Sequence, residues 1–184
     1  PAFSIGTSFY KNAVLQNPQW DPATFDVDSD VPRALAADNG EHDAMNADIS
    51  AFLARGGKLI TYHGTTDGLI PSGNSLNYFQ SMVATLGEEA VKESVRYYQI
   101  PGMDHCSGGE GAHDIDWLDA MEKWVETDSA PHELLATHPA PPPGIPGESN
   151  VFTRPACPHP EATIYKGSGD TNDATNFECV IPQN

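Results

Sequence analysis

Between residues 58 and 127 the chain alternates between two kinds of hydrophobic pattern. Lys58–His63 and Ser94–Ile100 are rich in β-forming residues and end at glycine-containing turns, which predicts two strands. After each strand, apolar residues recur three and four positions apart, the spacing of an amphipathic helix. The apolar positions of the two predicted helices are Leu76, Phe79, Met82, Val83 and Leu86, and then Ile115, Leu118, Met121, Trp124 and Val125.

This order of strand, loop, helix, strand, loop and helix is typical of a layered α/β fold. Two strands joined through a helix run parallel, and the crossover between them is right-handed. The first predicted helix begins at Ser72 or Asn74, both good capping residues, and ends at Gly87. One helical turn, Ala51–Arg55, precedes the first strand. The sequence therefore predicts an α/β fold with a parallel sheet.

The first fifty residues have a weaker pattern. Phe3–Leu15 predicts a helix that stops before Pro18. Asp26–Asp30 resembles the opening of a calcium-binding loop, but Val31 and Ala37 occupy the positions that need Gly and Glu. A solvated acidic turn is the prediction here, with a calcium site as the less favoured alternative.

The end of the chain predicts little regular structure. Ala140–Gly147 is rich in proline and glycine and predicts an extended connector. Val151–Asn184 contains two short apolar patches, one around Ile164 and Tyr165 and one from Phe177 to Ile181. This pattern suits a loop that crosses the core, and a Cys157–Cys179 disulfide would staple it.

Composition and charge exclude several classes of partner. The 184 residues include 26 acidic and 9 basic side chains, a formal net charge of −17. A surface this negative repels phosphate backbones and anionic lipid headgroups, so we expect neither a nucleic-acid nor a membrane partner. No apolar run approaches the ~20 residues of a spanning helix. The chain starts at Pro1 without an initiator Met or a signal peptide, so we expect earlier polypeptide.

The three cysteines are compatible with either a reducing or an oxidising compartment. In a reducing compartment they would be three inert thiols, whereas in an oxidising one a cysteine must stay free or pair outside these residues. Proline-rich loops and high acidity favour secretion only weakly, and no Asn-x-Ser/Thr glycosylation site adds support. Cysteine number alone therefore does not assign the compartment.

Two polar residues follow the predicted strands at the place where α/β folds carry chemistry. Asp67 lies four residues beyond the first strand, and His105 lies five residues beyond the second. Doubly wound hydrolases present the acid and then the base of a Ser-His-acid triad in this way. The alternative is that Asp67 is a turn former and His105 a loop residue.

The other histidines have simpler interpretations. His63, at a strand end, is expected to be a buried hydrogen-bonding residue. A metal cluster of His63, His105, Cys106 and His113 lacks the spacing of a zinc site, so no metal site is predicted. The remaining histidines are expected to be solvated, namely His42, His113, His132, His138 and His159.

A nucleophile for such a triad is missing from the sequence. No Gly-x-Ser-x-Gly motif occurs among the 184 residues. Ser107 lies in Cys106-Ser107-Gly108-Gly109, but it follows the proposed acid, which is the wrong order for this fold. We interpret Ser107 as a loop serine and expect the nucleophile upstream of Pro1.

Three ordered motifs resemble a known family, over roughly residues 20 to 180. They are Gly56-Gly57-Lys58-Leu59-Ile60-Thr61-Tyr62-His63-Gly64-Thr65-Thr66-Asp67, then Ile100-Pro101-Gly102-Met103-Asp104-His105-Cys106, and then Tyr165-Lys166-Gly167-Ser168-Gly169-Asp170-Thr171-Asn172-Asp173-Ala174. Together they are similar to the C-terminal part of the tannase and feruloyl esterase family.

The resemblance implies an α/β-hydrolase fold with a large lid in the preceding portion. It implies that Asp67 is the triad acid, that His105 is the base, and that Cys106 is bridged to an off-chain cysteine beside the serine. It also implies a tail disulfide, Cys157–Cys179, and an acyl pocket lined by Leu69 or Ile70. Residues 1–139 would form the C-terminal half of the catalytic domain, and residues 140–184 a connector and stapled tail packed on it.

The function implied is that of a secreted serine-type esterase. It would release ferulic or a related hydroxycinnamic acid from esters of sugars or alcohols. The alternatives are a tannase that cleaves galloyl esters and a non-catalytic, disulfide-linked subunit. No cofactor is expected in these residues, and the family's structural calcium would belong to the lid. The expected partners are upstream polypeptide linked through Cys106 and a small aromatic ester.

Overall fold

The computed structural model describes residues 4–140 and 151–183. They belong to two compact units, which divide between Asn46 and Ala47. The predicted connector, Ala140–Gly147, lies outside the described residues from position 141 onward, and the division at residue 139 stays a prediction. No helix in the described ranges is long and apolar enough to cross a bilayer.

The first unit is mainly helical. The predicted helix is present from Ser4, although its second half widens to π geometry. Tyr10 packs against Trp20 and Phe25, with ring centroids 5.6 and 5.1 Å apart. The elements of this unit are α1 (Ser4–Phe9), the π segment (Tyr10–Val14), a 3-10 turn (Pro22–Thr24) and α2 (Val27–Asp38).

The acidic stretch is the N-terminus of a helix, so the prediction of a solvated turn was wrong. The Asp26 carboxylate accepts a hydrogen bond from the Ser29 backbone N–H (2.9 Å), and the Asp30 carboxylate accepts one from the Asp26 N–H (3.0 Å). These bonds use N–H groups that have no partner within a helix, and negative charge is favourable at this end. Asp30 is consequently buried.

The second unit contains the predicted parallel pair of strands. β1 pairs with β2 along its whole length, from Leu59 opposite Val95 to Gly64 opposite Ile100. The elements are α3 (Ser50–Leu53), β1 (Leu59–Gly64), α4 (Gly73–Leu86), α5 (Glu88–Ser94), β2 (Val95–Ile100), α6 (Trp117–Thr127), β3 (Leu134–His138), β4 (Phe152–Ala156), β5 (Ala162–Tyr165) and β6 (Phe177–Val180).

β2 forms the centre of the core. Tyr97, Tyr98 and Ile100 are each at most 1% exposed, because helices and the tail cover this strand. Two apolar clusters are built around it. One contains Tyr98 and Ile100, and the other contains Val95 beside α4 and α5. The predicted helix does end at Gly87, whose φ of +88° suits glycine, but the sequence analysis missed α5, which begins at the next residue.

The predicted apolar face of α6 was only partly right. Trp124 is fully buried, but Leu118 and Val125 are 68% and 64% exposed. The helix is turned so that its two tryptophans, seven residues apart, both face inward. Trp117 stacks on Tyr62 with ring centroids 4.5 Å apart. Burying two large aromatic surfaces outweighs burying two aliphatic ones.

The tail is more regular than the loop that was predicted. β3 pairs antiparallel with β4, and β5 with β6. The backbone N–H of His159 donates to the carbonyl of Tyr97 (2.8 Å), which attaches the tail to β2. The predicted disulfide between Cys157 and Cys179 is present.

Replacing Cys157 and Cys179 together with Ser is expected to destabilise the protein by about 3 kcal/mol. The bridge closes a loop with a sequence separation of 22, and a loop of this size gives roughly that loss of unfolded-state entropy. Urea denaturation of the variant and of the wild type measures the difference. A loss below about 1 kcal/mol would contradict a stabilising role, and reducing the wild type is the matched control.

Candidate active site

The loops that follow β1 and β2 meet at the carboxyl ends of these strands. The Thr66 hydroxyl donates to the Met103 carbonyl (2.8 Å), and the Gly102 N–H donates to the Thr65 hydroxyl (3.0 Å). Gly64 permits this approach, because a Cβ there would collide with the backbone carbonyls of Met103 and the next residue. The parallel register therefore holds the two loops side by side.

Asp67 and His105 are hydrogen-bonded across the two loops. The Nδ1–H of His105 donates to Oδ2 of Asp67 over 2.8 Å. The Asp67 side chain is only 3% exposed, whereas His105 is half exposed. The structure thus brings together the two residues that the strand pattern pointed to, with the carboxylate inside and the imidazole at the surface.

Four donors hold the Asp67 carboxylate. Oδ1 accepts from the backbone N–H groups of Leu69 (2.8 Å) and Ile70 (2.9 Å), while Oδ2 accepts from His105 and from Nε2 of His63 (3.1 Å). Burial alone would raise the pKa of Asp67, but the hydrogen bonds from Ile70, Leu69 and His105 outweigh it and hold the pKa well below its ordinary value. The group is therefore a carboxylate at neutral pH.

The second nitrogen of His105 is open. Within residues 4–140 and 151–183, Nε2 of His105 has no hydrogen-bond partner. A tight turn presents this ring, because the Asp104 N–H donates to the Gly108 carbonyl (3.1 Å) and the Ser107 N–H to the His105 carbonyl (3.0 Å). An imidazole held at Nδ1 by a carboxylate and free at Nε2 is able to accept a proton from a hydroxyl.

Cys106 lies next to this imidazole. Its thiol is exposed and unbridged in the described part of the chain. Its φ of +66° lies in the left-handed region, which non-glycine residues rarely adopt. Among the described residues the hydroxyl of Ser107, the alternative nucleophile, makes no hydrogen bond to the His105 ring. The off-chain bridge of Cys106 stays a prediction.

Leu69 and Ile70 follow Asp67 directly on the same loop. The two residues are 51% and 44% exposed, so both present apolar surface beside the carboxylate. Sequence reasoning assigned them to the substrate, but it missed their backbone role, since their N–H groups bind the Asp67 carboxylate. Aspartates commonly accept bonds from N–H groups two residues ahead in turns, and this was the signal available.

The remaining histidines do not all follow the prediction of a solvated surface. His138 is half-buried and stacks on Phe152 with ring centroids 4.9 Å apart. His159 is half-buried near Phe79, and burial lowers its pKa. His113 is also half-buried. The prediction fails here because the tail packs on the core: Phe152 of the tail covers His138, and His159 of the tail lies against Phe79 and Tyr97. His42 and His132 are exposed, as expected.

No metal centre is found among the described residues. Nowhere in these ranges do three or more His, Cys, Asp or Glu side chains form a group able to hold a metal ion. The Asp26 and Asp30 carboxylates are occupied by backbone N–H groups. Their oxygens therefore serve the N-terminus of α2, whereas the structural calcium that the resemblance implies would belong to the lid. No step of the chemistry proposed for this chain involves a calcium ion.

A family model described as tannase and feruloyl esterase matches residues 5–180. The chain belongs to this family. It is 35% identical to the probable feruloyl esterase B-2 of Aspergillus terreus, with 97% of this chain and 36% of that protein covered. It is 38% identical to the mono(2-hydroxyethyl) terephthalate hydrolase of Piscinibacter sakaiensis, with 86% of this chain and 26% of that protein covered.

The fold agrees with the family. The crystal structure of feruloyl esterase B from Aspergillus oryzae superimposes with a TM-score of 0.79 at 30% identity, covering 94% of this chain and 36% of that one. The α/β-hydrolase-like fold implied by the motifs is thus confirmed. This chain spans between about a quarter and a little over a third of the length of these proteins.

Proposed function

We propose that these residues supply the acid and the base of a secreted serine-type carboxylic ester hydrolase. The observation that carries this proposal is the 2.8 Å bond from the Nδ1–H of His105 to the buried Asp67 carboxylate, with Nε2 left open. This arrangement is the acid–base half of a Ser-His-Asp triad. Membership of the tannase and feruloyl esterase family supports the same reaction.

The chemistry follows from the two imidazole nitrogens. Nε2 of His105 takes the proton of a serine hydroxyl as its oxygen attacks the ester carbonyl, and the tetrahedral intermediate then expels the alcohol. His105 returns the proton to the departing alkoxide, and water hydrolyses the acyl-enzyme by the same path. Asp67 keeps the proton of the neutral ring on Nδ1 and stabilises the imidazolium that forms.

The serine is proposed to lie on polypeptide that precedes these residues. The relatives are about three times longer than this chain, and no described hydroxyl is bonded to Nε2 of His105. We call these 184 residues together with that polypeptide the complete enzyme. We further propose that Cys106, exposed and adjacent to the base, forms a disulfide with a cysteine beside the serine. Such a bridge would hold base and nucleophile together and requires an oxidising, extracellular setting.

The proposed substrate is an ester of an aromatic acid, ferulic or a related hydroxycinnamic acid, with a sugar or an alcohol. Two of the relatives are named for feruloyl and terephthalate esters, both esters of aromatic acids. Leu69 and Ile70 offer apolar surface next to Asp67, which suits an aromatic ring. Galloyl esters are the second candidate, because the family also includes tannases.

The test is turnover and labelling of the complete enzyme. We expect hydrolysis of methyl ferulate with a higher kcat/KM than for methyl gallate, and labelling by a fluorophosphonate at a serine outside these 184 residues. A higher value for the gallate would instead make the protein a tannase. Labelling at Ser107 would overturn the assignment of the nucleophile.

Peptide mapping of the same material tests the bridge. Without reduction, we expect the Cys106 peptide to be linked to a peptide adjacent to the labelled serine, and reduction should release it. A free thiol at Cys106 in the active protein would contradict the bridge. The absence of both turnover and labelling would favour the non-catalytic subunit.

A further inference from the structure

His63 connects the proposed acid to the body of the fold. It lies on β1, and its side chain is only 11% exposed. Its Nε2 lies 3.1 Å from Oδ2 of Asp67 and 3.1 Å from the carbonyl oxygen of Ile70, and its Nδ1 lies 2.7 Å from the hydroxyl of Ser75. One imidazole thus joins β1, the loop after it and the first turn of α4.

The partners of His63 define its tautomer. Both groups at Nε2 are acceptors, a carboxylate and a carbonyl, so Nε2 carries the proton. The Ser75 hydroxyl, which has no other hydrogen-bond partner in the described part of the chain, donates to Nδ1. A charged His63 would repel the imidazolium that forms on His105, because both rings bind the same oxygen of Asp67. The neutral Nε2–H form is the one compatible with turnover.

Thr65 and Thr66 hold the first part of the loop after β1, and from Asp67 onward the loop is held to β1 by His63. The bonds from Leu69 and Ile70 to Oδ1 lie within the loop itself, so they move with it and do not fix it to the sheet. His63 holds Oδ2 and the Ile70 carbonyl from a strand that pairs along its whole length with β2. It therefore fixes both the direction of the carboxylate and the start of the proposed acyl pocket.

We propose that His63 is a positioning residue of the esterase, which directs Oδ2 of Asp67 at His105 and anchors the loop of Leu69 and Ile70. Ser75 supports it by keeping the Nε2–H tautomer. This inference rests on the proposed function, since it assigns His63 a role in the same reaction. His63 acts through Asp67 and does not touch the reacting atoms.

Two conservative variants of the complete enzyme distinguish a positioning role of His63 from a role in packing alone. His63→Gln keeps an N–H at about the reach of Nε2, whereas His63→Asn reaches only to the position of Nδ1 and leaves Asp67 without this donor. Both lose the ring, so both are expected to lower Tm to a similar extent. We expect His63→Asn to lower kcat about 10- to 100-fold, with a smaller change in KM, because misdirected groups cost about this much. We expect His63→Gln to stay within about fivefold of the wild type.

The matched control is His132→Gln, at an exposed histidine paired with Glu161, which should leave kcat and KM unchanged. Equal losses of kcat in His63→Asn and His63→Gln, or a wild-type kcat in His63→Asn, would overturn the positioning role.

A second readout does not need turnover. The Nδ1–H of His105, bonded to Asp67, should give a low-field proton signal in the wild type, and this signal should persist in His63→Gln and move upfield or broaden in His63→Asn. An unchanged signal in His63→Asn would reject the inference. If the wild type shows this signal but hydrolyses no aromatic ester, the proposed function fails while the contact itself is upheld.

Discussion

Replacing Asp67 with Asn is expected to lower kcat of the complete enzyme by about 10⁴-fold while the fold stays intact. The loss of the same carboxylate in a Ser-His-Asp triad has an effect of this size, because the imidazole adopts the wrong tautomer. In this protein the hydrogen-bond donors around Asp67 lead to the same wrong tautomer. The two oxygens of Asp67 face different partners, and these partners decide how an amide would be oriented.

The side-chain amide introduced by Asp67→Asn has one favourable orientation. Its oxygen must replace Oδ1, which accepts from the backbone N–H groups of Leu69 and Ile70. Its NH₂ group then replaces Oδ2 and faces the rings of His63 and His105. An NH₂ group donates, so His105 would have to accept at Nδ1 and carry its proton on Nε2. The ring would then be unable to take the proton of the serine.

Steady-state kinetics on methyl ferulate checks this prediction, with circular dichroism to confirm folding. Asp119→Asn is the matched control, because among the described residues the Asp119 side chain contacts only Lys123, in an exposed ion pair on α6. That variant should keep the wild-type kcat. If Asp67→Asn keeps a kcat within about tenfold of the wild type, the acid must be another residue.

The meeting of Asp67 and His105 could be predicted because strong local signals lie around both residues. Each follows a run of β-forming residues that ends at a glycine, and parallel strands end at the same edge of a sheet. The order of the elements was therefore enough to predict that the loops after β1 and β2 lie at the same edge of the sheet. Their contact in the structure needed no long-range information beyond the pairing of β1 with β2.

The elements that were missed lack such signals. β4 contains Pro155, which argues against a strand, and it pairs with β3 across a connection of more than ten residues. The Asp26 cap of α2 resembles a turn when it is read without its N–H partners. In both cases the deciding interaction is a hydrogen bond that a linear pattern does not show.

His63 was correctly predicted as a hydrogen-bonding residue, and it is largely though not fully buried, but its partners were not predicted. Its Nε2 contacts Asp67, four residues away, because the loop after β1 turns back over the strand end. The contact with Ser75 depends on where α4 begins, and the sequence allowed Ser72 or Asn74 as its cap. A shift of one or two residues in that helix would move the Ser75 hydroxyl away from the ring.

Replacing His105 with Ala is expected to have the largest effect, a loss of about 10⁶-fold in kcat, as for the base of other serine hydrolases. The fold should tolerate the change, because the ring is half exposed and its only side-chain partner in the described residues is Asp67. Asp67 keeps three donors without it. Binding of the aromatic ester should therefore change far less than turnover.

Added imidazole should restore part of the activity of His105→Ala, since the half-exposed position leaves room for the free base beside Asp67. The rescue should disappear in the double variant Asp67→Asn/His105→Ala, because the carboxylate acts only by orienting the imidazole.

For the same reason the double variant without imidazole should be no slower than His105→Ala alone, since residues that act as a unit are not additive. A further loss in the double variant would show that Asp67 contributes by a route other than the base. Undiminished turnover in His105→Ala would remove the imidazole from the reaction altogether.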